Sequence, residues 1–168
     1  MNHPVRLAIT MGDPAGVGPE IAVKALSSRK LPHDIDLFII GDGAVLERAA
    51  KICRVNVDLH RMSHAHDTVP NRINLLDMKQ ITLEEFTIGE VNQRCGRAAY
   101  HYLLEGISLA TKGDICAVVT NPINKEALKA AGINFPGHTE ILAHETGTHT
   151  FTMMFRLDQV AVVHVTTH

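Results

Sequence analysis

Val5-Arg6-Leu7-Ala8-Ile9-Thr10, then Met11-Gly12-Asp13-Pro14-Ala15-Gly16-Val17-Gly18-Pro19-Glu20, then Ile21-Ala22-Val23-Lys24-Ala25-Leu26, is the stretch whose reading decides the fold. Its first part is a short apolar run of the kind buried in a sheet. Its middle is a loop of glycine and proline, and its last part sets apolar residues at helical spacing. A strand, a loop and a helix in that order open a unit whose next strand runs parallel to the first. Residues 36–41 repeat the pattern, with Gly41-Asp42-Gly43 as the turn and 44–52 as a helix on which Val45, Ala49 and Ile52 share a face.

Further along, residues 55–59 alternate strictly and predict a half-exposed strand, and Pro70-Asn71 marks a turn before a candidate strand at 73–76. Between 91 and 112, Ala98, Tyr102, Leu103, Ile107 and Ala110 recur at intervals of three and four, which predicts a long helix stopped by Gly113. Residues 115–119 have the character of a buried central strand. Asn121 is placed to cap a helix that starts at Pro122 and stops at Gly132. A short helix is expected over 140–145, then two strands at 151–156 and 160–165 around the turn Leu157-Asp158-Gln159. The expected fold class is therefore α/β, a mostly parallel sheet flanked by helices with an added antiparallel hairpin.

At 168 residues, 45% of them apolar and 20% charged, the chain is long enough for one domain with a real core. A net charge of −2, with five Phe, two Tyr and no Trp, offers neither the basic excess nor the stacking surface used on nucleic acid. The apolar run at the N-terminus is too short for a signal sequence or a membrane span, so a cytoplasmic protein with no membrane partner is expected. Cys53, Cys95 and Cys116 are odd in number and far apart, which argues against a disulfide framework and for core or semi-buried positions.

Four places could carry chemistry. The loop 12–19 sets glycines between a strand and a helix, where backbone N–H groups can approach an anion, although its spacing is neither a dinucleotide fingerprint nor a nucleoside-triphosphate loop. Thr120-Asn121-Pro122-Ile123-Asn124-Lys125 follows an apolar strand, where parallel sheets gather ligands. Lys125 there is a candidate to bind an anion or move a proton, against the plainer reading of a solvated lysine. In Phe135-Pro136-Gly137-His138-Thr139-Glu140, His138 and Thr139 stand at the mouth of a turn, Thr139 also being a candidate helix cap. His168 ends the chain, four residues beyond His164. Two other groupings are rejected: His144 and His149 are five apart with Gly147 between them, which is not a zinc-protease spacing, and His64-Ala65-His66 reads as a polar surface loop.

Taken in order, residues 10–20, 120–125, 135–140 and Val165-Thr166-Thr167-His168 resemble the 4-hydroxythreonine-4-phosphate dehydrogenase family of vitamin B6 synthesis. The resemblance implies an isocitrate/isopropylmalate dehydrogenase-like fold and a homodimer with its active site at the subunit interface. It also implies NAD or NADP as oxidant and a divalent metal such as zinc, cobalt, manganese or magnesium. By resemblance, His138 and Thr139 bind the phosphorylated four-carbon substrate and His168 is the first of three histidine metal ligands. The other two ligands and most cofactor-binding positions lie in the family's second half. Residues 1–168 then form the N-terminal half of a two-domain enzyme, with the transition to the second domain near 122–135. Thr120-Asn121-Pro122 stands where members dedicated to vitamin B6 often carry Thr-Ala-Pro, which leans toward the branch that oxidises 4-phospho-threonate or 4-phospho-erythronate. The rival readings are a noncatalytic phosphate- or nucleotide-binding α/β module and, more remotely, a metal-dependent hydrolase.

Overall fold

The computed structural model describes residues 5–27 and 35–165. Strands β1 (Val5–Thr10), β2 (Ile35–Gly41), β3 (Leu59–Met62), β4 (Ile73–Asp77) and β5 (Ala117–Thr120) form one sheet in the order β3-β4-β2-β1-β5. Every pairing in it is parallel. Helix α1 (Gly18–Ser27) joins β1 to β2, α2 (Gly43–Cys53) joins β2 to β3, and α3 (Gln93–Lys112) joins β4 to β5. From β1 to β3 the chain travels one way across the sheet, and from β3 to β5 it travels back. Right-handed crossovers therefore put α1 and α2 on one face and α3 on the other, against β1, β2 and β5.

Burial explains why these segments take these places. Phe38, Ile39, Ile40 and Leu75 at the centre of the sheet are fully buried, and Val23, Val45, Leu46 and Tyr102 cover them from the helices. Asp42 is buried at the end of β2, where its carboxylate accepts hydrogen bonds from the N–H groups of Gln80 and Ile81 at 3.0 and 2.7 Å. It thus holds the segment after β4 against the start of α2. Helix α3 begins at Asn92, whose side chain accepts from the N–H groups of Arg94 and Cys95, and ends at Gly113 with φ +80.

Beyond the sheet, α4 (Lys125–Ala130) and α5 (His138–Glu145) pack on α3 around a second, smaller core of Leu103, Ile107, Leu128 and Ile141. Gly96 makes the α3–α4 contact possible. A Cβ there would overlap the Ala127 carbonyl and stand 2.7 Å from the Leu128 nitrogen. Strands β6 (Met154–Arg156) and β7 (Ala161–Val163) form an antiparallel hairpin whose strand residues are all exposed, Phe155 and Val162 facing each other in register.

Several expectations need correction. Among the described residues, 115–119 are not a central strand: β5 lies at the edge of the sheet, Val119 and Cys116 are exposed, and the central place belongs to β2. An unbroken apolar run looks the same whether its second neighbour is present or not. The alternation at 55–59 shows in burial, but ladder pairing starts at Leu59, four residues later. Ile52, expected on the buried face of α2, is half exposed. Asn121 does not cap a helix; Asn124 does, accepting from the Ala127 N–H at 3.0 Å, so α4 starts at Lys125 and not at Pro122.

Candidate functional site

The loops leaving β1 and β5 start side by side and then part. Thr10 and Thr120 are register partners at the carboxyl ends of their strands. One loop continues into α1 on one face of the sheet, and the other into α4, which packs with α3 on the opposite face. A reversal of that kind marks the strand ends where open parallel sheets usually take their ligands. Two hydrogen bonds join the loops at their base, from the Asn121 N–H to the Thr10 carbonyl at 3.3 Å and from the Asp13 N–H to the Pro122 carbonyl at 3.0 Å.

Glycine permits the close approach. A Cβ on Gly12, whose φ is +76, would stand 3.1 Å from Asn121 Cβ, and one on Gly18 would stand 3.2 Å from the same atom. Asp13 shapes the rest of the loop: its Oδ1 accepts from the Ala15 N–H at 2.8 Å and its carbonyl from the Gly16 N–H at 3.0 Å. Burial raises the Asp13 pKa above its ordinary value, partly offset by the bond from Ala15. Much of this loop's polarity is therefore spent on its own turn.

The third component is the start of α5. Gly137 holds the N-cap position with no side-chain bond, so Thr139 is inside the first turn and is not the cap that sequence allowed. Tyr100 anchors the far end of the helix by donating to Glu145 Oε1 at 2.7 Å, and its ring stacks on Phe135. His138 is thereby brought to the β5 loop, where its ring lies against the backbone of Asn121. Its Nε2 is buried and has no hydrogen-bond partner among the described residues. Desolvation holds the His138 pKa below the ordinary 6.5, against the opposing effect of the Asn121 bond, so the ring favours its neutral form. His138 is thus half-buried and oriented, more so than the turn mouth inferred from sequence.

The structure brings together the loop 12–19, Asn121, His138 and Thr139. Lys125 lies four residues beyond Asn121 at the exposed first position of α4, with no ion pair among the described residues. His168 lies outside the described residues. Among the described residues no group of three His, Cys, Asp or Glu could hold a metal ion, so this part of the site does not by itself fit one. His64 and His66 are exposed with rings stacked 5.4 Å apart, as a surface loop should be. Of the cysteines, Cys95 is buried and Cys53 half-buried, but Cys116 is exposed on the sheet edge. Sequence reasoning placed Asn121 in a candidate segment but gave it the role of helix cap, which Asn124 holds instead.

Fold and loop arrangement together define an α/β protein with a parallel sheet whose β1 and β5 loops meet at the carboxyl ends of its strands. Residues 33–168 match the family model for the pyridoxal phosphate biosynthetic protein PdxA, and the chain belongs to that family. It is 46% identical over 165 residues to the "Putative D-threonate 4-phosphate dehydrogenase" of Oceanobacillus iheyensis, covering 96% of this chain and 49% of that one. Among solved structures it resembles a 4-hydroxythreonine-4-phosphate dehydrogenase from Burkholderia phymatum, with a TM-score of 0.91 and 38% identity over 98% of this chain and 50% of that one. A second, from Klebsiella pneumoniae, gives a TM-score of 0.88 at 33% identity, covering 95% of this chain and 49% of that one. The chain spans about half the length of the curated relatives it matches. Among the described residues no helix is long and apolar enough to cross a membrane.

Proposed function

We propose that the intact protein is a cytoplasmic, NAD- or NADP-dependent dehydrogenase that oxidises the CH–OH group of a phosphorylated four-carbon hydroxy acid, with decarboxylation, and depends on a divalent metal. The substrate is 4-phospho-threonate or 4-phosphooxy-threonine, in keeping with the names carried by its relatives, or the related 4-phospho-erythronate. The observation that carries this reading is the meeting of the β1 and β5 loops at the carboxyl ends of their strands with the start of α5, where His138 lies against the Asn121 backbone.

His138 and Thr139 bind the substrate there, and the surrounding loops exclude water from it. A bound nicotinamide would supply the hydride acceptor, and a divalent metal, held by His168 together with ligands from the second half, would supply polarisation of the substrate hydroxyl. His168 serves as one metal ligand, and Lys125 is the candidate to neutralise the substrate's anionic group or move a proton. Residues 1–168 make the first half of a two-domain chain, with the second domain entered near 122–135. The exposed apolar residues of β5 and of the β6–β7 hairpin then pack against the second half or against the partner of a homodimer.

The test is the absorbance of reduced nicotinamide when the intact protein meets each phosphorylated acid, with and without chelator. Metal-dependent reduction with at least one of them is the expected result. Binding of the phosphorylated acid with no reduction of either nucleotide would leave a noncatalytic binding module instead.

A further inference from the structure

Helix α5 delivers the turn His138–Thr139, yet little of what fixes the helix lies in its own sequence. Gly137 caps it with no side-chain bond, and among its residues only Ile141 is fully buried. One buried contact locates a helix without setting its tilt. The other ties converge on a single residue of α3. The Tyr100 ring stacks on Phe135, just before α5, with centroids 6.4 Å apart and planes 17° from parallel. Its hydroxyl donates to Oε1 of Glu145, the last residue of α5, at 2.7 Å. His144 closes the cluster, with Nδ1 3.0 Å from the same oxygen and its ring 5.2 Å from that of Phe135.

Tyr100 is suited to hold a helix in place. It stands on α3, which Asn92 and Gly113 cap at its two ends. Burial and the neighbouring Glu145 carboxylate push its phenol up to about 12, so the hydroxyl keeps the proton it donates. The layout of α5 turns that hold into a lever. His138 lies three residues before Ile141 and Glu145 four after it, about 4.5 and about 6 Å along the axis. A tilt about Ile141 that moves Glu145 by about 1 Å therefore moves His138 by about 0.75 Å the other way.

We propose that Tyr100 is a positioning residue for the substrate-binding turn: by gripping Phe135 and Glu145 it sets the tilt of α5, and with it the place of His138 and Thr139 against the β5 loop. This rests on the dehydrogenase reading for what the turn binds. The experiment compares intact wild-type, Tyr100→Phe, Glu145→Gln and Glu145→Leu proteins below their thermal transitions. It reads steady-state kinetics and calorimetric binding with 4-phospho-threonate, and the NMR titration of the His138 imidazole in the free protein. Tyr100→Phe keeps the ring on Phe135 and loses only the hydroxyl. It should raise KM about five-fold and leave kcat within about two-fold, because the turn binds substrate and does not carry the hydride acceptor. The His138 pKa should rise toward 6.5, since desolvation is the larger of the two influences on it and eases when the helix tilts. Glu145→Gln keeps an oxygen that accepts from the phenol and should match wild type in every reading. Glu145→Leu should match Tyr100→Phe, and the two changes combined should be no worse than either alone.

Variants that lose thermal stability but keep the KM and the His138 pKa of wild type would overturn the proposal while leaving a dehydrogenase in place. Equal losses in Glu145→Gln and Glu145→Leu would assign the effect to charge and overturn it as well. A His138 pKa that moves in Tyr100→Phe and Glu145→Leu but not in Glu145→Gln, in a protein that neither binds nor oxidises a phosphorylated acid, would sustain the positioning and remove the dehydrogenase.

Discussion

Gly96→Ala is a substitution on which local and tertiary physics disagree about sign. Gly96 stands in the first turn of α3; inside a helix glycine is less favourable than alanine by at most about 1 kcal/mol, so by propensity alone the variant should be somewhat more stable. The structure predicts the opposite. The new methyl would overlap the backbone carbonyl of Ala127 and stand 2.7 Å from the Leu128 nitrogen, where ordinary contact starts at 3.4 Å. Backbone cannot rotate out of the way as a side chain can, so α4 must retreat bodily from α3. Overpacking of this kind costs about 1–3 kcal/mol, and overlap with backbone belongs at the upper end, so about 2 kcal/mol of net destabilisation remains after the propensity gain. In a unit of this size that is a drop of about 4–8 °C in Tm. Scanning calorimetry of the intact wild type and variant measures it. Because α4 follows directly on the Asn121 loop, substrate binding should weaken as well. A Gly96→Ala protein as stable as wild type, or more so, would refute the α3–α4 packing and the positioning argument built on it.

Other consequences are simpler to state. Asn92→Ala removes the acceptor for two N–H groups at the start of α3 and should cost about 1 kcal/mol in urea titrations. Because the folded His138 pKa lies below 6.5, the unfolded chain binds more protons in the window beneath that value. Its contribution is therefore complete above pH 6.5 and drains away as pH falls toward the folded pKa. Stability measured at about pH 7.5 and about pH 5.5 should fall less in His138→Gln than in wild type. Burial pushes the Cys95 thiol up to about 12, whereas Cys116 is exposed. Alkylation of the native protein at about pH 8, mapped by peptide mass, should label Cys116 and leave Cys95 untouched until the chain is denatured.

Most of the architecture was legible because its elements carry their own period and punctuation. Residues 5–26 and 36–52 read correctly as two strand–helix units, and Gly113 stops α3 where it was expected to. What could not be read depends on neighbours distant in sequence. Whether 115–119 is central or at an edge is a question about which strand comes next, and no local pattern answers it. His138 and Thr139 were found because a proline–glycine turn and a family resemblance both point to them. The depth of the His138 ring and its place against the Asn121 backbone were not, since both follow from three loops meeting across more than a hundred residues of chain.

The small core formed by Leu103, Ile107, Leu128 and Ile141 stands apart from the one that fills the sheet. Such satellite units open on their own, at lower free energy than global denaturation. Amide hydrogen exchange should therefore find α4 and α5 trading deuterium well before β1 and β2, with the imidazole carried away from the Asn121 loop each time they detach. Ligand that clasps this corner would slow that exchange selectively, making protection of two short helices a direct gauge of occupancy even where turnover is silent.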